Sequence, residues 1–415
     1  MPMDAVTAPE PVLFDPYDYD FHEDPYPLYA RLRTEFPLYR SEVDDFWALS
    51  RHSDVQAALR EDGMFSNGMG VSLDASAWNP EAHRVMSFLA LDGDDQRRLR
   101  KLVSAVFTPR RVKELEPRIQ RLTELYLSRT LAANAEQGEA DWIGELAARL
   151  PMDVISEMMG VPPADRDRVR RLADLVVHRE AGVRDVPATG VEASFELISY
   201  YADMVRTRRV QPGDDLPSAL AHARIDGDRL EDHEIIAFLF LMVVAGNETT
   251  TKLLGNALFH LSAHPDQRSE VLAGPTGAEL VGSWIEETLR YDTSSQMLAR
   301  HVLTDVQFHG RTVPAGSKLL VLLASANRDE RVFRDPDTYD IHRSRGELSQ
   351  ILSFGFGRHF CLGANLARLE ARVVLSEMVR RVDHFEVHPE RAERVHSTSV
   401  RGFARLPTTF RERRP

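Results

Sequence analysis

The segment Phe354-Gly355-Phe356-Gly357-Arg358-His359-Phe360-Cys361-Leu362-Gly363 contains the only cysteine of the 415 residues. Apolar residues then recur at intervals of three and four, which predicts a helix with one apolar stripe: Leu362, Leu366, Leu369 and Val373. The cysteine thus stands at a helix N-terminus, where free backbone N–H groups and the positive dipole end favour a thiolate. Gly355 and Gly357 allow the backbone to approach a flat ligand, and Gly363 lets an N–H group reach the sulfur. The segment therefore predicts a ligand for a soft metal.

The composition predicts a soluble protein of the reducing cytoplasm. Apolar residues make up 43% of the chain, enough for a large core, and a single cysteine allows no disulfide framework. No targeting segment is visible, and the longest apolar run, Ile235 to Ala245, has 11 residues, about half of what a bilayer span needs. The formal charge of −13 argues against nucleic acid as a partner.

The longest helical pattern runs from Asp228 to His260. Its middle reads Ala245-Gly246-Asn247-Glu248-Thr249-Thr250-Thr251. Glycine costs about 1 kcal/mol relative to alanine inside a helix, and threonine is a weak helix former, so local propensity is poor there. Such a conflict often marks a functional site. The alternative is a kinked helix whose threonine hydroxyls bond to its own carbonyl groups and whose carboxylate lies in a surface ion pair.

The cysteine segment resembles the haem-binding signature of the cytochrome P450 family, Phe-Gly-x-Gly-x-His-x-Cys-x-Gly, at all six fixed positions. The resemblance implies a mainly α triangular-prism fold, with a large helical domain and a smaller β-sheet region. It predicts one catalytic domain over residues 20–410, between a flexible N-terminal segment (1–19) and a C-terminal tail (411–415). It also implies haem b (iron protoporphyrin IX), with the thiolate of Cys361 as the protein ligand to iron.

The middle of the long helix is similar to the family's Ala-Gly-x-Asp/Glu-Thr-Thr segment. Ala245, Gly246 and Thr249 share one helix face, and the two small residues are expected to leave room for dioxygen over the iron. The resemblance implies that the hydroxyl of Thr249 takes part in oxygen activation. It also implies that Glu248 relays protons inward through water and side-chain rotation. Thr249 and Glu248 are therefore the predicted catalytic residues.

The resemblance also predicts residues that hold the haem. Arg100 matches a propionate-binding arginine, but Gln96 stands where the family has a histidine. The contact of Gln96 is therefore expected to be weaker, or to be a neutral amide hydrogen bond. Arg300 and His359 are the other predicted propionate donors. The predicted haem-binding set is completed by Phe354, Gly355, Gly363, Ala245 and Gly246.

Glu287 and Arg290 match the family's Glu-x-x-Arg motif, and Arg343 matches the arginine that completes its buried network. By spacing alone, Glu287 and Arg290 would be an ordinary helix pair. The resemblance implies that all three residues stabilise the fold and take no part in the chemistry.

An apolar substrate pocket is predicted from Phe65, Phe88, Leu89, Val244, Ala245 and Leu298. Residues 64–92 combine glycine, proline and apolar residues without a clear period, which is typical of ordinary packing or of a binding loop. The resemblance favours a loop that closes over substrate. The break around Gly182 to Gly190 is either a mobile lid or an ordinary interhelical loop, and both interpretations stay open.

These matches predict a bacterial-type monooxygenase that inserts one atom of O2 into an apolar substrate by hydroxylation or epoxidation. The substrate classes considered are steroids, terpenoids, macrolides and fatty acids. No Gly-x-Gly-x-x-Gly follows a strand, so no flavin or nicotinamide is expected on this chain. Electrons are expected from a separate ferredoxin or flavodoxin. The alternatives are a peroxide-driven peroxygenase, which is expected to lack the Glu-Thr pair, and a haem-based binding or sensing protein, which would need no proton relay.

A basic surface is predicted to receive the acidic electron donor. It consists of Arg97, Arg98, Arg100, Lys101, Arg110, Arg111 and, from the cysteine loop, Arg358. Without the resemblance, the same residues would be a solvated basic helix. The protein is expected to act as a monomer, without a membrane.

Overall fold

The longest helix of the structure, α12 (Asp232–Ser262), lies at the centre of the fold. A capping box fixes its start: the side chain of Glu231 accepts a hydrogen bond from the first turn, and the backbone N–H of Glu231 donates to Glu234 at 2.8 Å. The helix therefore begins at Asp232 and not at the predicted Asp228, because the cap satisfies the free N–H groups at that point.

The computed structural model describes residues 12–106, 108–180, 182–224 and 227–414. Residues 1–11 of the predicted N-terminal segment and Pro415 of the predicted tail lie outside these ranges. Besides α12, the α-helices in the described ranges are α1 (Tyr19–Glu23), α2 (Tyr26–Glu35), α3 (His52–Arg60), α4 (His83–Met86), α5 (Gly93–Val106), α6 (Pro109–Glu114), α7 (Glu116–Gln137), α8 (Arg149–Met158), α9 (Arg166–Val177), α10 (Ala188–Val210), α11 (Leu216–His222), α13 (Pro265–Val271), α14 (Pro275–Ala278), α15 (Val281–Tyr291), α16 (Leu323–Ala326), α17 (Arg345–Leu348) and α18 (Ala364–Arg381).

The strands form small sheets beside the helices. They are β1 (Leu38–Ser41), β2 (Phe46–Leu49), β3 (Phe65–Ser66), β4 (Ala140–Asp141), β5 (Leu298–Val302), β6 (Val306–Phe308), β7 (Arg311–Val313), β8 (Lys318–Val321), β9 (Val382–Val387), β10 (Glu393–Arg394), β11 (Phe403–Arg405) and β12 (Pro407–Glu412). The largest sheet has the order β1-β2-β8-β5-β3, and all its pairs are antiparallel except β2 with β8. The others pair β4-β12-β9, β10-β11 and β6-β7. The architecture is mainly α with a small β region, as the sequence predicts.

Helix α12 packs against α4, α8, α9, α10, α15 and α18. By length and composition alone it could cross a membrane, but 56% of its most apolar 18-residue window is buried inside the described fold. Its apolar residues therefore belong to the protein core.

Two glycines allow helices to cross closely. A Cβ atom at Gly246 of α12 would collide with Cδ1 of Ile155 on α8. A Cβ atom at Gly190 of α10 would lie 2.9 Å from the carbonyl oxygen of Leu175 on α9. Gly190 thus belongs to a helix crossing and not to the predicted interhelical break, since α10 begins at Ala188.

The loop between α9 and α10 is tied to the loop that precedes α4. The guanidinium of Arg179 donates two hydrogen bonds to the carboxylate of Asp74, at 3.1 and 2.6 Å. The side chain of Asp74 is completely buried, and Asp185 accepts hydrogen bonds from Ser76 nearby. The predicted binding loop in residues 64–92 and the segment around Gly182, left open as lid or ordinary loop, are therefore connected by charged groups.

Candidate active site

The cysteine loop depends on glycine at two positions. Gly355 and Gly357 have φ of 71° and 70°, in the left-handed region that favours glycine. A Cβ atom at Gly357 would also lie 3.1 Å from the carbonyl oxygen of Leu59 on α3. The loop closes where the backbone N–H of Cys361 donates to the carbonyl oxygen of Phe354 at 2.9 Å. This geometry presents the cysteine directly before α18.

The sulfur of Cys361 faces a cavity inside the protein. Withdrawal from bulk water raises the pKa of the thiol, while hydrogen bonds from the backbone N–H groups of Gly363 and Ala364 and the charge of Arg100 lower it. The N–H group of Gly363 therefore reaches the sulfur, as predicted. The N–H groups at the helix terminus do not outweigh burial, and the pKa of the thiol lies above its ordinary value.

The cavity offers about 280 Å³ to the centres of water-sized molecules and has a mainly apolar wall. Several segments distant in sequence contribute to this wall: α3, the turn before α5, α8, α12, α15, β5 and the cysteine loop with the start of α18. Its size and lining suit a flat cofactor together with an apolar molecule.

One face of α12 lines the cavity with Ala245, Gly246, Thr249, Thr250 and Leu253. The hydroxyl of Thr249 donates to the carbonyl oxygen of Ala245 at 2.9 Å, so it is occupied by its own helix.

Glu248 is absent from the described cavity wall. It is 6% exposed, and its carboxylate lies 3.0 Å from Nζ of Lys252, one turn further along α12. The ion pair that the alternative interpretation placed at the surface is thus a buried pair. The two predicted catalytic residues point to different sides of the helix.

Four of the six predicted pocket residues line the cavity: Phe88, Leu89, Ala245 and Leu298. Phe65 and Val244 do not belong to the described wall. Phe65 is held in β3, where it pairs with Val302, and Val244 packs in the apolar cluster between α12 and its neighbouring helices. The wall contains further apolar residues that the sequence analysis missed: Ile155, Phe238, Leu241 and Met242.

Two basic side chains line the cavity, Arg300 and His359, and a third, Arg100 of α5, reaches the cysteine loop. Arg100 donates to the carbonyl oxygen of Phe360 at 2.6 Å, but its buried Nη1 has no partner. Both ring nitrogens of His359 lack a hydrogen bond, and Nε2 lies 3.6 Å from Asp92. Arg300 is 2% exposed, and burial lowers its pKa to about 10. Buried donors without acceptors fit an anionic ligand, such as the two propionates of a haem.

Gln96 is fully buried and joins α5 to the cysteine loop. Its amide nitrogen donates to the carbonyl oxygen of Arg358 at 3.2 Å, and its Oε1 atom has no hydrogen-bond partner. Gln96 therefore fixes the loop that carries Cys361.

Glu370 is a cavity residue that the sequence analysis missed. It lies on α18, is 1% exposed, and its Oε1 atom has no hydrogen-bond partner. Burial raises its pKa to about 8, so the carboxyl group is mostly protonated at neutral pH. Glu370 could have been found in the sequence as an acidic residue beside the apolar stripe of α18, next to Leu369.

Glu287, Arg290 and Arg343 form one buried network away from the described cavity wall. Arg290 donates to both carboxylate oxygens of Glu287, at 2.8 and 2.7 Å, and Arg343 donates to one of them at 3.1 Å. Arg290 also donates to three backbone carbonyl groups, those of Asn327, Pro336 and Thr338. The network thereby connects α15 to the chain before the cysteine loop.

Comparisons with known proteins identify relatives of the whole chain. The family model described as Cytochrome P450 matches residues 278–411. The chain is 54% identical over 408 residues to cytochrome P450 123 of Mycobacterium tuberculosis, with 98% of this chain and 99% of the relative covered. It is 36% identical to the vitamin D(3) 25-hydroxylase of Pseudonocardia autotrophica, with 98% of both chains covered. The solved structure of cytochrome P450 CYP109Q5 from Chondromyces apiculatus superposes with a TM-score of 0.84 at 34% identity, over 96% of this chain and 98% of that chain. Haem and O2 are accordingly the cofactor and co-substrate that these relationships imply. With such identity across nearly the whole of both chains, this chain belongs to the cytochrome P450 family of haem-thiolate monooxygenases.

Proposed function

We propose that this chain inserts one atom of O2 into an apolar small molecule, reduces the other atom to water, and receives its electrons from a separate ferredoxin or flavodoxin. The observation that carries the proposal is a single apolar cavity that contains both Cys361 and the small-residue face of α12 with Thr249. A peroxygenase or a sensing protein would not require the acid and alcohol at positions 248 and 249. We further propose that residues 20–410 act as one catalytic domain, as a monomer in the cytoplasm.

Haem b is the proposed cofactor. Cys361 would ligate its iron, and Arg100, Arg300 and His359 would neutralise its propionates, because Nη1 of Arg100 and both ring nitrogens of His359 otherwise lack acceptors and Arg300 is a buried cation. When bound, the haem supplies a thiolate-ligated iron at which O2 is activated. Gln96 is not included among the propionate ligands, since its amide nitrogen already serves the cysteine loop.

Thr249 and Glu248 are the proposed proton-handling residues. Thr249 lines the cavity, so rotation of its hydroxyl away from Ala245 would place an O–H donor inside the cavity. Glu248 lies behind it, held by Lys252, and would bring protons to the cavity by rotation or through water. In this proposal Thr249 donates a hydrogen bond inside the cavity, and Glu248 supplies the protons.

The substrate is proposed to be an apolar molecule of steroid, terpenoid, macrolide or fatty-acid type. The cavity wall is mainly apolar, and one relative is named for its action on vitamin D(3). Vitamin D3, a monoterpene, a macrolide and a long-chain fatty acid are therefore suitable probes in a screen for substrate-induced changes in the haem spectrum.

The testing experiment compares Thr249→Ala with Thr250→Ala. Both residues line the same cavity, and both changes remove one hydroxyl group. Hydrogen peroxide and oxidised product are measured per NADH consumed, with a bacterial ferredoxin and its reductase and the probe that changes the spectrum. We expect Thr249→Ala to keep consuming oxygen while product gives way to peroxide, and Thr250→Ala to keep the coupling of the parent protein.

Equal coupling in both variants would contradict the role of Thr249. Product formed from hydrogen peroxide alone, at the rate seen with the ferredoxin system, would favour the peroxygenase. Spectral binding without any turnover would favour the sensing protein.

A further inference from the structure

A serine from outside α12 is hydrogen bonded to the middle of that helix. The hydroxyl of Ser294 donates to the backbone carbonyl oxygen of Thr249 at 2.8 Å. Ser294 is 5% exposed and lines the cavity, in the segment that connects α15 to β5. The carbonyl group of Thr249 lies well inside α12, which continues to Ser262. Ser294 thus ties the middle of α12 to residues 292–296.

Residues 292–296 are fixed by buried hydrogen bonds of their own. The carboxylate of Asp292 is buried and accepts from the hydroxyl of Tyr26 at 2.7 Å and from the side chain of Arg401 at 2.9 Å. The backbone N–H of Arg401 also donates to the carbonyl oxygen of Ser294 at 2.8 Å. A side chain that stands on such a well-bonded segment can hold a neighbouring element in a precise place.

The middle of α12 is where the helix most needs support. Gly246 and the three threonines that follow Glu248 are weak helix formers. The hydroxyl of Thr249 donates to the carbonyl oxygen of Ala245, an arrangement that often bends helices. In the proposed function this hydroxyl turns into the cavity, and the direction in which it then points depends on where the backbone of Thr249 lies.

We propose that Ser294 is a positioning residue for Thr249. Its hydrogen bond fixes the backbone carbonyl group of Thr249 from outside the helix, so that the hydroxyl of Thr249 rotates while its backbone stays in place. The inference rests on the proposed function, in which that hydroxyl donates inside the cavity. It adds that the hydroxyl is aimed by a residue on another segment of the chain.

Three variants separate this role from a general effect on the cavity wall. Ser294→Ala removes the hydrogen bond, and Ser294→Thr keeps a hydroxyl at the same position. Ser353→Ala is the matched control, because Ser353 also lines the cavity and its hydroxyl donates to the carbonyl oxygen of Leu289 in α15 at 2.7 Å. Ser353 additionally accepts from Asn327 at 2.8 Å, so the control loses at least as much hydrogen bonding. Urea unfolding checks that each variant folds.

The first test is hydrogen–deuterium exchange of the haem-loaded protein without substrate, followed peptide by peptide with mass spectrometry. The loss of one such hydrogen bond changes a local opening equilibrium by a factor of about 2–10. We therefore expect exchange around residues 249–253 to become ~2–10-fold faster in Ser294→Ala. Ser294→Thr and Ser353→Ala should keep the parental exchange in α12. Unchanged exchange there in Ser294→Ala would overturn the inference.

The second test measures product and hydrogen peroxide per NADH with the ferredoxin system and the probe that changes the haem spectrum. Ser294→Ala should lower product per NADH ~2-fold or more, with peroxide in its place, because misplacement of a group in the site is costly. Ser294→Thr and Ser353→Ala should keep the parental coupling. In a Thr249→Ala background, Ser294→Ala should cause no further fall, because the hydroxyl through which it acts is absent.

The double variant provides the outcome that a merely structural serine would not give. An equal further fall in both backgrounds would overturn the inference, since Ser294 would then act on the substrate or the fold without Thr249. Parental coupling in Ser294→Ala would overturn it as well. If Thr249→Ala itself keeps the parental coupling, the proposed function fails and the inference fails with it. The exchange data distinguish that failure from a loose contact at Ser294, because they require no turnover.

Discussion

Replacement of Glu287 by glutamine should destabilise the whole fold. Its carboxylate is fully buried and accepts from Arg290 twice, from Arg343 once, and from the backbone N–H of Asp340 at 3.0 Å. Glutamine preserves the shape of the side chain but removes the charge. Arg343 keeps Glu347, 3.0 Å away, whereas Arg290 loses its carboxylate partner.

The expected loss follows from that uncompensated charge. Removing one member of a buried ion pair costs ~3–5 kcal/mol, because the remaining charge stays in a poorly hydrated site. The three carbonyl groups that accept from Arg290 reduce the penalty but carry no full charge. Since a folded domain is stable by only about 5–15 kcal/mol, Glu287→Gln should remove a large part of the stability of the protein.

The adjacent residue provides the control. Glu286 pairs with Arg368 at 2.6 and 2.9 Å, but its side chain is 27% exposed and that of Arg368 is 34% exposed. Glu286→Gln should therefore cost less than ~1 kcal/mol. Urea unfolding is followed by tryptophan fluorescence, which Trp284 reports from within α15. Equal free energies of unfolding for the two variants would refute the role assigned to the network.

Three further predictions concern the site and its surroundings. Cys361→His should remove the absorption band of the carbon monoxide complex that is characteristic of thiolate-ligated haem, because no second cysteine can replace the ligand; an unchanged band would contradict Cys361 as the ligand. Glu370 has a folded-state pKa of about 8, above its ordinary value of 4.5, so the folded protein holds a proton that the unfolded chain releases in this range. The free energy of unfolding should fall as pH rises from 5 to 8, by up to ~1.4 kcal/mol per pH unit, and Glu370→Gln should remove this slope in urea titrations. Arg110→Glu should slow reduction by ferredoxin at low salt, since the side chain is 90% exposed, whereas Arg206→Glu on α10, 75% exposed, should not; equal rates would place the docking surface elsewhere.

The basic surface was predicted from the positions of arginine and lysine in the sequence, which do not show the acidic residues that pair with them in the fold. Arg98 was predicted to face the electron donor, but it pairs with Asp228 and Glu234, both at 2.6 Å. Arg358 pairs with Asp62 at 2.9 Å. Acids distant in the chain thus neutralise part of the predicted surface, and only folding brings them there.

Local motifs predicted the parts of the site that depend on local backbone geometry. The cysteine loop needs glycine at 355 and 357, and a glycine requirement is visible in sequence. The pocket wall depends instead on which helices cross. Ile155 reaches the cavity because Gly246 allows α8 close to α12, and nothing near Ile155 in the chain indicates this contact. Phe65 and Val244 were predicted to line the pocket but do not belong to the described wall. Strand pairing of Phe65 and helix packing around Val244 determine where these side chains lie, and neither is visible in the local sequence.

The ion pair between Arg179 and Asp74 has a kinetic consequence. Any route into the cavity between these two loops requires a buried guanidinium to separate from its carboxylate. If the pair is intact both with and without a bound molecule, weakening it accelerates arrival and departure by the same factor. The dissociation constant would then stay constant while the residence time of substrate and product shortened. Turnover limited by product release would become faster without any change at the haem.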